Sequence, residues 1–164
     1  KQQDYLKVIR SKTAKLFEAS TRLPAVLVKS SSKVEAACAA YGQALGTAFQ
    51  VIDDVLDYDG DANTMGKNLG DDLREGKSTL PLIFAMQRGT LKQCALIKNA
   101  IEQGDIGALA DIAEIVRSTG AMQATRQAAS DEAQLALHAL EVLPASEYKT
   151  ALADIAEQLL DRQN

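Results

Sequence analysis

The sequence has few of the residues that build sheets, disulfide frameworks or nucleic-acid surfaces. It contains no Trp, 4% aromatic residues and 3 Pro among 164 residues, a composition that favours helices over β-sheets. Its two cysteines, Cys38 and Cys94, lie too far apart for a metal or redox motif and suggest buried thiols in a reducing compartment. The formal net charge of −4 offers no basic surface for nucleic acid.

Long apolar runs are also missing. No stretch approaches the ~18 residues of a membrane span, and no signal-peptide pattern is present, so we expect a soluble, cytoplasmic protein. The one histidine, His138, lies among leucines in a predicted helix and has no Ser-His-Asp or Cys-His grouping, which favours a packing or surface role. The length suggests one domain. The chain lacks an initial Met, which suggests a piece of a longer protein.

The most informative stretch, residues 46–60, is predicted to end a long helix that runs from about Lys33 to Tyr58, with Gly60 as its terminator. Its apolar and polar side chains separate onto two faces. The apolar face comprises Val51, Ile52, Val55 and Leu56, and the polar face, which we expect to border a cavity, comprises Gln50, Asp53, Asp54 and Asp57.

Three aspartates crowd into the last two turns of this helix. The helix dipole penalises each by about 0.3–1 kcal/mol, and exposed pairs repel each other by about 0.2–0.5 kcal/mol. Repeated violations of a local rule often mark a functional site, and a hard cation such as Mg²⁺ would relieve the repulsion. A solvated acidic helix end explains the same residues, so this motif alone leaves both interpretations open.

Two residues of the first predicted helix, from Asp4 to about Ser20, are unusual. Lys12 has Val8 one turn before it and an apolar residue one turn after it, and Thr13 lies within the apolar face. A snorkelling amine explains the lysine without function, and a hydroxyl bonded to the preceding turn explains the threonine. Pro24 is predicted to end this unit.

Residues 59–78 are irregular and rich in glycine, with a possible helical turn at 70–75. Loops of this length in a compact domain are uncommon and often functional. The lysines Lys67 and Lys77 lie here among acidic residues. Gly76-Lys77-Ser78 resembles the end of a P-loop, but the first glycine and the preceding strand are missing.

Helix caps organise the remaining chain. The predicted helices run after Ser78 or Thr79 to about Gln87, after Thr90 to about Glu102, after Asp105 to about Ser118, from Ala121 to Leu143 and after Ser146 to about Arg162. In the long central helix, Gly42 and Gly46 lie one turn apart. They indicate either close helix packing or room for a bulky group.

The motifs together resemble a known family, the trans-isoprenyl diphosphate synthases. Residues 49–57 (FQVIDDVLD), 66–72 (GKNLGDD) and 76–81 (GKSTLP) resemble its second aspartate-rich region. Residues 11–14 (SKTA), followed by Leu16-Phe17, resemble its Lys-Thr helix. The specific likeness extends to about Gly89 and is strongest to bacterial octaprenyl diphosphate synthases.

The resemblance implies an all-α, isoprenoid-synthase-like helical bundle around a central cavity. It implies an Mg²⁺-dependent prenyltransferase that adds isopentenyl diphosphate to an allylic diphosphate such as farnesyl diphosphate. The product would be a long all-trans polyprenyl diphosphate, namely octaprenyl for a quinone side chain. A homodimer is also implied.

The resemblance also assigns roles to individual residues. It makes Lys12, Thr13, Gln50, Asp53 and Lys77 the catalytic set. Asp53 would ligate Mg²⁺ directly, with Asp54 and Asp57 nearby and Asp71 in the metal's water shell. The allylic diphosphate would be bound by Lys12, Lys67 and Lys77. Thr13 and Gln50 would direct their oxygens at the allylic cation, and Phe49 would border the isopentenyl diphosphate site.

Two family features are missing: the first Asp-Asp-x-x-Asp motif and the basic group for isopentenyl diphosphate. Residues 1–164 therefore resemble the C-terminal part of the synthetase domain, inactive without an N-terminal half. Two alternatives stay open: a non-catalytic subunit of a heteromeric synthase and a structural module that binds a divalent ion. The intact set of Lys12, Thr13, Gln50, Asp53 and Lys77 disfavours the first, and the lysines near the acids disfavour the second.

Overall fold

A computed structural model describes residues 1–59 and 70–161. Every regular element in these ranges is helical, which confirms the predicted all-α class. No described helix is long and apolar enough to cross a membrane. The helices are α1 Gln2–Lys12, α2 Ala14–Leu27, α3 Ser32–Asp59, α4 Asp71–Arg74, α5 Leu80–Arg88, α6 Leu91–Gln103, α7 Leu109–Ser118, α8 Ala121–Leu140 and α9 Glu147–Leu160, with a 3-10 turn at Ile106–Ala108.

The chain divides into two compact units. The first unit comprises Lys1–Tyr5 and Val51–Gln127, and the second comprises Leu6–Gln50 and, of the described residues, 128–161. In the first unit, α5 packs against α6 and α7. Its fully buried side chains include Val51, Val55, Leu73, Leu80, Leu82, Ile97, Ile112 and Val116.

The second unit has its own core around Tyr41 of α3. Tyr41 is 2% exposed, and its hydroxyl donates to the Leu152 carbonyl at 2.8 Å. Such a partner is what a buried tyrosine hydroxyl requires. The buried residues packed with it are Ala44, Leu45, Ala136, Leu140 and Ala156.

Small residues bring α2 and α3 into close contact in the second unit. A Cβ atom added to Gly42 would lie 2.1 Å from Thr21 Oγ1, and one added to Gly46 would lie 2.7 Å from Ala14 Cα. Both distances are far shorter than normal van der Waals contact. The structure therefore selects close packing over room for a bulky group.

The predicted first helix was wrong in two respects, because it is divided at Thr13 and continues past Pro24. Thr13 keeps its backbone bond to Ile9 O at 2.9 Å, but Leu16 N bonds to Thr13 O in a tighter turn. Pro24 lacks a donor, yet its own carbonyl accepts from Val28 N at 3.1 Å, and Ala25 is buried. This packing offsets the cost of an interior proline.

The long central helix, the turn at 70–75 and most capped helices follow the prediction. Thr90 and Gln93 form a capping box, and Ser146 Oγ accepts from Lys149 N at 3.2 Å. The predicted end of α8 was three residues too late, because the chain tightens into i→i+3 bonds before Pro144, as at Leu143 N–Leu140 O.

Three predictions about isolated residues have different outcomes. His138 is exposed and lies 3.3 Å from Glu141, which confirms a surface role. Cys38 and Cys94 are both free and half-buried rather than fully buried. Gly60 lies outside the described residues.

Candidate functional site

Asp57, near the end of α3, fastens the short helix α4 in the first unit. Its Oδ1 accepts from Asp71 N at 3.1 Å, and its Oδ2 accepts from Asp72 N at 3.2 Å. Its backbone carbonyl accepts from Gly70 N at 3.2 Å. Gly70 has φ +79°, and a Cβ there would lie 2.9 Å from Leu109 side-chain carbons, so this turn requires glycine. We call these three hydrogen bonds the Asp57 clasp.

The clasp holds negative charges close together. Burial, and then the charge of Asp72, raise the pKa of Asp57 from 3.8 to about 6, although the two backbone donors act in the opposite direction. Asp71 belongs to the same group and is ion-paired with Arg74. The structure thus brings the carboxyl groups of Asp57, Asp71 and Asp72 together.

Lys77 lies at the edge of this acidic group. Its Nζ is 2.9 Å from Asp72 Oδ1 and 2.7 Å from Glu75 Oε2. Hydrogen bonds to Glu75 and Asp72 raise the pKa of Lys77, so it is fully charged at neutral pH. With 44% of its side chain exposed, the ammonium group remains accessible to an anionic ligand.

Asp54 departs from the predicted polar face. It is 1% exposed; its Oδ2 accepts a hydrogen bond from the Tyr5 hydroxyl and lies 3.4 Å from the donor Leu80 N. The prediction that Asp54 borders an open cavity is therefore wrong. A carboxylate can be buried in this way because protein donors replace its water. Whether Asp54 ligates a metal stays a prediction.

In the second unit, Thr13 and Gln50 form a polar pair. Thr13 Oγ1 donates to Gln50 Oε1 at 2.8 Å, so the hydroxyl does not bond back to the preceding turn. A hydroxyl that gives its proton to one partner presents its lone pairs elsewhere. The pair can therefore offer negative dipole ends to a cationic group.

Phe49 is half-buried in the second unit. Its ring packs on Phe17 with 5.5 Å between centroids and a tilt of 38°. Both rings line a cavity of about 280 Å³ together with Leu45, Ile155 and Leu159. The ring thus borders a largely apolar space, while its role toward isopentenyl diphosphate stays a prediction.

The remaining predicted site residues are less constrained by the structure. Asp53 is half-buried, and Lys12 is exposed. Lys67 lies outside the described residues. Among residues 1–59 and 70–161, no three His, Cys, Asp or Glu side chains form a group that could hold a metal.

A divalent cation does not require such a group. Mg²⁺, for example, favours oxygen ligands and usually takes one or two carboxylates, several waters and substrate phosphates rather than a complete protein cage. The crowded carboxylates near Asp57 supply such oxygens, and a cation beside them would favour ionisation of Asp57.

The roles of Tyr5, Asp72 and the Leu80 amide were not predicted from the sequence. Tyr5 is 49 residues from Asp54, and Leu80 is 26 residues from it. No local pattern predicts contacts across such distances. For Asp72, its place beside Asp71 in an acidic turn was the available signal.

Comparison with known proteins gives a consistent result. A family model described as polyprenyl synthetase matches residues 1–119. The octaprenyl diphosphate synthase of Escherichia coli (strain K12) is 44% identical over 162 residues, covering 98% of this chain and 50% of that protein. That of Haemophilus influenzae is 46% identical over 160 residues, covering 97% and 49%.

A solved structure agrees with these sequence matches. The polyprenyl synthase from Caulobacter crescentus CB15, complexed with calcium and isoprenyl diphosphate, has a TM-score of 0.92 and 37% identity to this chain. The match covers 100% of this chain and 51% of that one. The chain therefore spans about half the length of the relatives it matches.

Proposed function

Since the chain belongs to the polyprenyl synthetase family, we propose that it is the C-terminal part of a synthase that adds isopentenyl diphosphate to an allylic diphosphate. The likeness to octaprenyl diphosphate synthases supports a long all-trans product, most simply octaprenyl diphosphate. The proposal rests on one observation: the acidic group of Asp57, Asp71 and Asp72 lies beside the charged Lys77 in a chain of this family.

Lys77 and Lys12 would bind the allylic diphosphate, together with Lys67. Lys77 already bridges the half-buried Asp72 and the exposed Glu75, and a diphosphate would replace the Glu75 carboxylate at its ammonium group. Exposed ion pairs of this kind contribute about 0–1 kcal/mol, so the exchange costs little.

Enzymes of this family generally depend on a divalent metal, and we propose Mg²⁺ here. Asp53 would be its direct protein ligand, with Asp57 and Asp71 in contact through water. When bound, the ion would neutralise negative charge on the departing diphosphate, the kind of electrostatic term that usually dominates such catalysis.

Carbon–oxygen cleavage sends the bonding electron pair to the diphosphate and leaves an allylic cation. Thr13 and Gln50 would stabilise that cation with their oxygen dipoles, which their mutual hydrogen bond orients. The double bond of isopentenyl diphosphate, bordered by Phe49, then attacks it. Loss of a proton restores a double bond in a chain five carbons longer.

The test is an elongation assay with farnesyl diphosphate, isopentenyl diphosphate and Mg²⁺. The 164-residue chain alone should give no product, and adding the N-terminal half of an octaprenyl diphosphate synthase should restore elongation. Turnover by the chain alone would contradict the assignment as a part. Absence of prenyl transfer in the complete protein would contradict the enzymatic proposal. Cytoplasmic location and a homodimer stay predictions.

A further inference from the structure

A single buried carboxylate joins three segments of the first unit. Asp54 lies in α3, its Tyr5 donor lies in α1, and its Leu80 donor is the first residue of α5. Asp54 is 1% exposed and Leu80 is fully buried. The contact is therefore internal to the unit rather than a solvated surface pair.

The Tyr5 hydroxyl is well suited to donate a hydrogen bond to the Asp54 carboxylate. Burial raises the pKa of Tyr5, and the neighbouring charge of Asp54 raises it further, so the phenol stays protonated and can donate. A buried carboxylate without donors is strongly unfavourable. Removing the hydroxyl therefore affects Asp54 and the segments it joins rather than the tyrosine alone.

The joined segments carry the proposed chemistry. Asp53 immediately precedes Asp54 in α3, and Lys77 lies three residues before Leu80. The hydrogen bonds of Asp54 to Tyr5 and to the start of α5 thus restrict the backbone at Asp53, the proposed metal ligand. They also restrict the backbone near Lys77, the proposed diphosphate ligand. Displacements of about 1 Å at such positions can cost up to about 100-fold in rate.

We propose that Tyr5 is a positioning residue and that Asp54 acts as an internal anchor rather than as a metal ligand. This inference rests on the proposed prenyltransferase function for its effect on rate. The hydrogen bonds themselves do not depend on that function.

The kinetic test uses the full-length protein that contains this chain. Tyr5→Phe and Asp54→Asn should each lower kcat about tenfold, and the double variant should be no slower than either single variant. The Mg²⁺ concentration at half-maximal rate should change less than twofold in all three. Tyr41→Phe is the matched control, because it removes a buried tyrosine hydrogen bond in the second unit; its kcat should stay within twofold.

A metal-ligand role for Asp54 predicts a different pattern. Asp54→Asn would raise the half-saturating Mg²⁺ concentration about tenfold or more, Tyr5→Phe would leave it unchanged, and the two effects on rate would multiply. That result would overturn the proposal.

A stability measurement tests the anchor independently of turnover. With Mg²⁺ removed, Tyr5→Phe and Asp54→Asn should each lower the Tm by about 3–6 °C, and the double variant should match a single one. Tyr41→Phe combined with Asp54→Asn should instead show additive losses. Additive losses for Tyr5→Phe and Asp54→Asn would refute the anchor. An inactive wild-type protein would refute the proposed function and leave this measurement decisive.

Discussion

Replacing Gly46 by alanine should loosen the Thr13–Gln50 pair through packing alone. Gly46 is one turn before Gln50 on α3, and it faces Ala14, the residue after Thr13. An added Cβ would lie 2.7 Å from Ala14 Cα and 2.9 Å from Phe17 Cβ. Carbon atoms pack at about 3.5–4.0 Å, so α2 must withdraw by about 1 Å.

Two opposing contributions set the size of the stability change. Alanine is better than glycine in a helix by about 1 kcal/mol, whereas overpacking a tight contact costs about 1–3 kcal/mol or more. Because backbone and Cβ atoms are involved, the clash should prevail, with a net loss of about 1–2 kcal/mol and a fall in Tm of about 3–6 °C.

The functional effect follows from the same displacement. A withdrawal of about 1 Å would stretch the 2.8 Å Thr13–Gln50 hydrogen bond beyond useful length. We expect kcat for chain elongation to fall about tenfold.

Gly42→Ala is the matched control in this experiment. Its Cβ would lie 2.1 Å from Thr21 Oγ1 and 2.5 Å from Phe17 O, so stability should fall at least as much. Because that clash lies further along α2, kcat should fall less. Unchanged stability of Gly46→Ala would refute the close packing, and equal losses of kcat in both variants would refute the link to Thr13.

Two further predictions concern the acidic group. Asp53→Ala should lower kcat by about 10²–10³-fold with little change in KM. Asp59→Ala should change kcat only slightly, because Asp59 forms an exposed ion pair with Arg126. Similar, small changes of kcat in both variants, measured by steady-state kinetics, would mean that both aspartates have only a surface role. In the Mg²⁺-free protein, the Asp57 pKa of about 6 against an ordinary 3.8 means that the folded state binds its proton more tightly. The unfolding free energy should therefore fall as pH rises from about 4 to 6, and chemical denaturation of Asp57→Asn should show a flatter profile.

Short-range chemistry made much of this fold predictable. Apolar residues spaced three and four apart located α3, and the hydroxyl caps Thr90 and Ser146 located α6 and α9, because caps act within three residues of the helix start. The break at Thr13 was not predictable in this way. Its side chain bonds to Gln50, 37 residues away.

The acidic motif shows the same limit within one element. Its crowded aspartates indicated a special site, and helix periodicity placed them on one polar side. Periodicity cannot say that Tyr5 and Leu80 approach Asp54, or that Asp57 receives backbone donors from Asp71 and Asp72. These contacts separate the two neighbouring roles, a buried anchor at Asp54 and a partly open carboxylate at Asp57.

The Asp57 clasp has a consequence for how this chain tolerates insertions. Its three hydrogen bonds hold the chain on both sides of residues 60–69, from Asp57 to Gly70–Asp72. Lengthening a loop whose ends are held costs little: doubling its length costs only about 0.6 kcal/mol in closure entropy, less than one hydrogen bond to a charged group. Residues inserted between 60 and 65, ahead of Lys67, should therefore leave Asp71 and Lys77 in their places.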